Sequence, residues 1–263
     1  MHPVTVTRGT GPLVLGFPHT GTHVPDAIRA DLNAEGRLLR DTDWHVDALY
    51  RDLVPGVTTV AANFHRYVID ANRDPSGQSL YPGQTTTGLV PLTTFDDDPI
   101  WTTPPDDAAI AHRLRDWHAV YHAALTAELE RVRAIHGVAI LYDCHSIRSE
   151  VPWLFDGVLP EFNIGTDSGR TCAPAIEAAV HDRCAASGRR MVLNGRFRGG
   201  WTTRHYGQPE TGIHAIQMEL AQSSHLATET PPFALDAGKA ESLRQVLGPI
   251  LQDLIDLAPT LAG

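Results

Sequence analysis

Gly137-Val138-Ala139-Ile140-Leu141 is an apolar run of strand length, and it leads straight into Tyr142-Asp143-Cys144-His145-Ser146-Ile147-Arg148-Ser149. An Asp, a His, a Ser and an Arg therefore collect where the run ends. In open α/β sheets that end is where ligands and catalytic groups gather. His145 reads as a metal ligand, with its polar neighbours handling a small acidic molecule. The remaining ligands, a base and the substrate cations have to come from elsewhere in the chain.

The rest of the sequence supplies strands and helices in alternation. Pro12 to Phe17 is a second apolar run, opening into the polar loop Pro18-His19-Thr20-Gly21-Thr22-His23, and Pro25 to Ile28 starts a short helix. Asp41-Thr42-Asp43-Trp44-His45 precedes a helical Val46 to Tyr50. Val57 to Ala62 is β-rich, and Tyr67-Val68-Ile69-Asp70 reads as a further strand ending at Asn72-Arg73. Residues 76–105 are rich in Gly, Pro, Thr and Asp without periodicity, and a loop that long inside a domain is usually functional or disordered. Leu114, Trp117, Val120, Tyr121, Leu125, Leu129 and Val132 predict one long helix from Asp106 to Ile135, stopped by Gly137. Phe162 to Thr166 reads as a strand and Cys172 to Ser187 as a helix ended by Gly188. Asn194 to Trp201 is a glycine-rich turn region, Ile213 to Leu220 alternates like a strand, and Ala240 to Leu257 closes the chain as a helix. With no repeat and no low-complexity linker, residues 1–263 predict a single α/β domain.

The charge balance narrows the partners. Lys and Arg total 21 against 31 Asp and Glu, a formal −10 that argues against nucleic acid or an anionic membrane. Lys239 is the one lysine, a bias that genomic base composition explains, although arginine is also the better fork for carboxylates. Three cysteines fit a reducing compartment, and no apolar run reaches the ~18 residues of a membrane span. The expected location is the cytoplasm.

His19, Asp41 or Asp43, and His145 lie just after apolar runs or at loop-to-helix junctions. Two imidazoles and a carboxylate make a catalytic zinc set with a fourth position for water, and Asp143 is placed to orient His145. An isolated loop histidine is more often a surface or hydrogen-bonded residue, so the set rests on the combination. Glu219, near the end of the late strand, suits a partly desolvated general base, or else faces solvent with Gln217. Arg73 with Asn72, Arg148 and Arg204 are the candidate anion binders. Ser146 and Cys144 rank below the metal as reacting groups: no Gly-x-Ser-x-Gly elbow surrounds the serine, and adjacent strand residues face opposite ways.

Together these motifs resemble the N-formylglutamate amidohydrolases. The resemblance is carried by Pro18-His19-Thr20-Gly21-Thr22, Asp41-Thr42-Asp43-Trp44-His45, Asp70-Ala71-Asn72-Arg73, Leu80-Tyr81-Pro82-Gly83 and Thr86-Thr87-Gly88-Leu89. It continues through Asp143 to Ser149, Leu154-Phe155-Asp156-Gly157, Asn194-Gly195-Arg196-Phe197, Thr203 to Pro209 and Gln217 to Gln222. In order, it spans roughly residues 12 to 225, following the histidine-degradation branch; Thr20 and Cys144 are its small departures. It implies a zinc-peptidase-like, three-layer α/β/α sandwich on a mostly parallel or mixed sheet, and hydrolysis of N-formyl-L-glutamate to formate and L-glutamate. It also implies a divalent metal, zinc first, with cobalt, manganese or iron compatible with the ligands. His19, His145 and an Asp from Asp41-Thr42-Asp43 would hold it, and Glu219 would be the base. Arg148 is then expected at the oxyanion, and Asn72, Arg73 and Arg204 at the two carboxylates. Residues 195–200 or the loop 76–105 would shape or cover the acyl pocket. The competing readings are a deacylase of another N-acyl acidic amino acid, a zinc carboxypeptidase-like enzyme, or a silent binder of an acidic metabolite.

Overall fold

The computed structural model describes residues 1–79 and 86–262. Its strands are β1 (Val4–Thr7), β2 (Leu13–Phe17), β3 (Thr58–Ala62), β4 (Ala139–Ile147), β5 (Phe162–Gly165), β6 (Met191–Leu193) and β7 (Ile213–Ala221). Its α-helices are α1 (Asp26–Asp31), α2 (Val46–Tyr50), α3 (Asp107–Arg113), α4 (Ala119–His136), α5 (Pro174–Ala186), α6 (Trp201–Tyr206) and α7 (Ala237–Leu257). The seven strands form one sheet in the order β1-β3-β2-β4-β7-β5-β6. β3, β2, β4 and β7 run parallel, while β1 and β5 pair antiparallel with β3 and β7, so the sheet is mixed.

Side-chain alternation on the central strands builds two cores, one on each face of the sheet. Ile140, Tyr142 and Cys144 of β4, with Ile216, Met218 and Leu220 of β7, pack under α2, α5 and α7. Ala139 and Leu141 of β4, with Ala215 of β7, pack under α4 through Tyr121, Leu125, Leu129 and Val132. Helices on both faces explain why every residue of β4 is buried. The result is the three-layer α/β arrangement that the family resemblance implies.

Three expectations are corrected. Strand β4 does not end at Leu141 but carries Asp143, His145 and Ile147 within it, because parallel neighbours β2 and β7 pair along it. Tyr67 to Asp70 form no strand; they are buried in a turn segment where Val68 N donates to His65 O and Asp70 N to Leu89 O, 2.8 Å each. The long helix is interrupted by a π-turn at Leu114–His118, between α3 and α4. Gly137 does stop α4, at φ +75°. The Leu80 to Gly83 motif lies outside the described residues. Among those described, no helix is long and apolar enough to cross a membrane.

Candidate metal centre and catalytic cavity

Register decides which polar side chains meet. Asp143 pairs with Gln217 and His145 with Glu219 across the parallel β4–β7 junction. All four fall on the α4 side of the sheet, in the C-terminal halves of their strands from the midpoint on. His19 arrives two residues past β2, and Asp43 comes from the loop before α2, held to His19 by its amide donating to His19 O at 3.0 Å.

His145 Nδ1 and His19 Nδ1 lie 3.2 and 3.7 Å from the same oxygen, Asp43 Oδ2. One ligand atom from each of the three lies within 4.8 Å of the others, and all three residues are buried. Ligands at ~2.0–2.1 Å around a tetrahedral ion stand roughly 3.3 Å apart, so the separations suit a divalent metal. The outer nitrogens are occupied. His19 Nε2 donates to Asp70 Oδ1 at 2.7 Å, and His145 Nε2 lies 3.1 Å from the Asn72 amide nitrogen. Asp143 Oδ1 lies 3.2 Å from that Nε2 but is buried without a hydrogen-bond partner among the described residues.

The charge balance points the same way. Asp43, Asp70, Asp143 and Glu219 are buried around the set, with Arg66 the buried guanidinium among them. Burial opposes charging of His145, yet the Asp143 charge beside it and its hydrogen bond to Asp43 hold its pKa well above the usual range. Burial acts against Asp43 too, but bonds to His145 and His19 bring its carboxyl below the ordinary value. The site therefore attracts positive charge, and its two-imidazole, one-carboxylate donor set fits a cation.

Asp41 plays a different part. Its Oδ2 accepts from Tyr67 Oη at 2.8 Å and from the Phe95 amide at 3.1 Å, and burial raises its pKa to about 6. It ties the loop around Phe95 to the core, while Asp43 joins the histidines. Glu219 does not face solvent. It is 7% exposed, its Oε2 accepts from Gln217 Nε2 at 3.1 Å, and burial lifts its pKa to about 8.

Asn72 is clamped from several sides. Its Oδ1 accepts from Thr202 N at 2.8 Å, and a Cβ on Gly200 would lie 2.3 Å from its Nδ2, so only glycine fits there. The carbonyls flanking it are held from the π-turn and α4: His118 Nε2 donates to Arg73 O at 3.0 Å and His122 Nε2 to Ala71 O at 2.8 Å. Four residues apart at the start of α4, the two histidines share one helix face, which brings both rings onto one segment.

His19, Asp43, His145, Glu219, Asn72 and Arg73 line one cavity of about 280 Å³, together with Arg66 and Arg196. Gly77 to Ser79 and Thr86 to Leu89 form part of its wall, as does Phe197 from the glycine-rich stretch. Arg148 and Arg204 lie elsewhere. Arg148 donates to Asp96 at 2.7 Å; Arg204 donates to Gly199 O at 2.9 Å and lies 3.4 Å from Asp167. Sequence reasoning passed over Arg66, Asp70 and Arg196. Arg66 donates to Asp70 Oδ2 at 2.5 Å, and this four-residue spacing was the available signal. Arg196 stands beside Gly195 in an already prominent motif.

A family model described as N-formylglutamate amidohydrolase matches residues 11–226. A curated N-formylglutamate deformylase from Pseudomonas aeruginosa is 45% identical over 254 residues, 94% of each chain. One from Pseudomonas putida is 44% identical over 255 residues, again 94% of each. The crystal structure of N-formylglutamate amidohydrolase from Ralstonia eutropha JMP134 superposes with a TM-score of 0.81 at 26% identity, covering 97% of this chain and 99% of that one.

Proposed function

The chain belongs to the N-formylglutamate amidohydrolase family, hydrolases of an amide bond, and from that premise we propose that it uses a divalent metal to hydrolyse N-formyl-L-glutamate to formate and L-glutamate. The observation that carries this reading is one cavity in which Glu219 stands beside the His19–Asp43–His145 set, with guanidinium side chains also on the wall. We place the reaction at the end of a histidine degradation route, as the resemblance implies.

His19, Asp43 and His145 would hold the ion, zinc first, with cobalt, manganese and iron also suited to these donors. When bound, such an ion lowers the pKa of water and polarises the formyl oxygen. Glu219 takes the proton of the attacking water. Burial raises its pKa above the ordinary carboxyl value, which makes it a stronger base, and a cation held beside it would favour the ionised form that accepts the proton. The same carboxyl then returns the proton to the departing nitrogen. Without that transfer the leaving group would be an amide anion, so one residue serves as base and then acid.

Negative charge develops on the formyl oxygen as attack proceeds. Arg66 suits its stabilisation better than Arg148: it is 5% exposed, lines the cavity, and is braced by Asp70 and by the Phe95 ring 4.7 Å away. Asn72 and Arg73 suit the α-carboxylate, because Asn72 touches His145 and the α-carbon carries the scissile nitrogen.

Turnover of N-formyl-, N-acetyl- and N-succinyl-L-glutamate by the zinc-loaded protein tests the assignment. The formyl substrate is expected to lead by at least an order of magnitude in kcat/KM, and equal rates would overturn it.

A further inference from the structure

We propose that Arg196 is a specificity-determining residue: it binds the side-chain carboxylate of the substrate and so selects a dianion. The inference rests on the N-formylglutamate reading and adds to it the residue that recognises the γ-carboxylate.

Arg196 is braced on the cavity wall. Its Nε donates to Leu154 O at 3.0 Å and its guanidinium lies 5.5 Å from the Phe197 ring centroid. Leu154 and Phe197 line the cavity with it. They pack on a small apolar cluster that includes Ile147 and Ala221. Those two residues pair across β4 and β7 two positions beyond His145 and Glu219, and two residues of strand advance about 7 Å. The Arg196 wall is thus built on the part of the sheet that extends outward past the metal set.

The substrate has a matching length. From formyl carbon to side-chain carboxylate carbon, extended N-formylglutamate spans about 6 Å at standard bond lengths. With the formyl group at Glu219 and the metal set, the far carboxylate reaches the level of the Arg196 wall. The two methylenes between fall against Leu154 and Phe197, which supply apolar contact there. Arg73 cannot serve both carboxylates: it adjoins Asn72, whose amide contacts His145, and the α-carboxylate must stay within one carbon of the scissile nitrogen. Arg204 is held at Gly199 and Asp167, and is not part of the cavity wall.

The test compares N-formyl-L-glutamate with N-formyl-L-glutamine, which keeps the shape and α-carboxylate but removes the far charge. Arg196→Gln should lower kcat/KM for the glutamate substrate roughly 10- to 100-fold, the range for a lost charge-assisted hydrogen bond, mainly through KM. It should change the glutamine substrate less than about 3-fold on the same scale. Arg196→Lys, which keeps the charge, should recover part of the discrimination. Calorimetric binding of L-glutamate and L-glutamine provides a second readout independent of turnover, with the wild-type preference expected to disappear in Arg196→Gln. Equal losses on both substrates, or no loss on either, would overturn the proposal. If wild type fails to turn over either compound, the deformylase reading falls. The binding preference then decides the Arg196 assignment alone: supported if Arg196→Gln abolishes it, overturned if not.

Discussion

His19 Nε2 donates a 2.7 Å hydrogen bond to Asp70 Oδ1, and both side chains are almost wholly removed from solvent. The bond fixes the imidazole so that Nδ1 points toward Asp43 and His145. Asp70 is itself held ionised: burial opposes its charge, but Arg66, Arg73 and His19 bring its pKa well below the usual value. A carboxylate behind a ligating histidine orients the ring and strengthens it as a donor. Asp70→Asn should therefore weaken zinc binding by ~10–100-fold. Titration against a chromophoric chelator measures this, and unchanged affinity would remove Asp70 from that role.

Glu219→Gln should leave zinc content intact and lower kcat by ~10²–10⁴-fold. The amide matches the carboxylate in shape but cannot accept the water proton. Metal analysis beside steady-state kinetics separates loss of base from loss of metal, and near-normal kcat would exclude the base role.

Arg66 and Arg148 make opposite predictions. Arg66→Lys keeps a charge near Asp70 but loses the planar fork, and should cost kcat about 10²-fold if the group stabilises developing charge. Arg148→Ala removes a side chain paired with Asp96 outside the cavity wall, and should leave kcat within about 3-fold, well below that loss. A large kcat loss in Arg148→Ala alone would restore the expectation read from its sequence motif.

His225 should carry part of the acid sensitivity. It is fully buried, its Nε2 donates to Trp44 O at 3.0 Å beside Asp43, and burial lowers its pKa to about 4. The unfolded chain, with an ordinary pKa near 6.5, binds a proton that the folded chain refuses. Stability is therefore fully present above about pH 6.5 and is lost as pH falls toward about 4, by about 2 kcal/mol between pH ~7.5 and ~5. Urea denaturation at the two pH values should show His225→Gln shrinking the difference by that amount. An unchanged pH dependence would show that other groups carry it.

Much of the frame was legible beforehand. The strands at Leu13, Thr58, Ala139, Phe162 and Ile213 and the helices at Val46, Pro174 and Ala237 fall where apolar periodicity and glycine stops put them. The short β1, β6 and α6 were not legible, because elements of three to six residues carry too little pattern. Tyr67 to Asp70 misled because a β-rich composition there serves a buried turn.

The sequence by itself determined which residue types stand at strand ends and loop-to-helix junctions: His19, Asp41, Asp43, His145, Glu219 and a set of arginines. Those choices follow from local pattern, and local pattern is encoded in neighbouring residues. Only the tertiary structure decided between Asp41 and Asp43, since both follow the same loop and differ in what the fold brings to them: Tyr67 and Phe95 for one, two imidazoles for the other. It likewise drew Arg66 and Arg196 into the cavity wall, with Arg148 on Asp96 and Arg204 on Asp167. Spacing along a chain cannot rank such arginines, because a guanidinium takes its role from the charges and cavities that distant segments place around it.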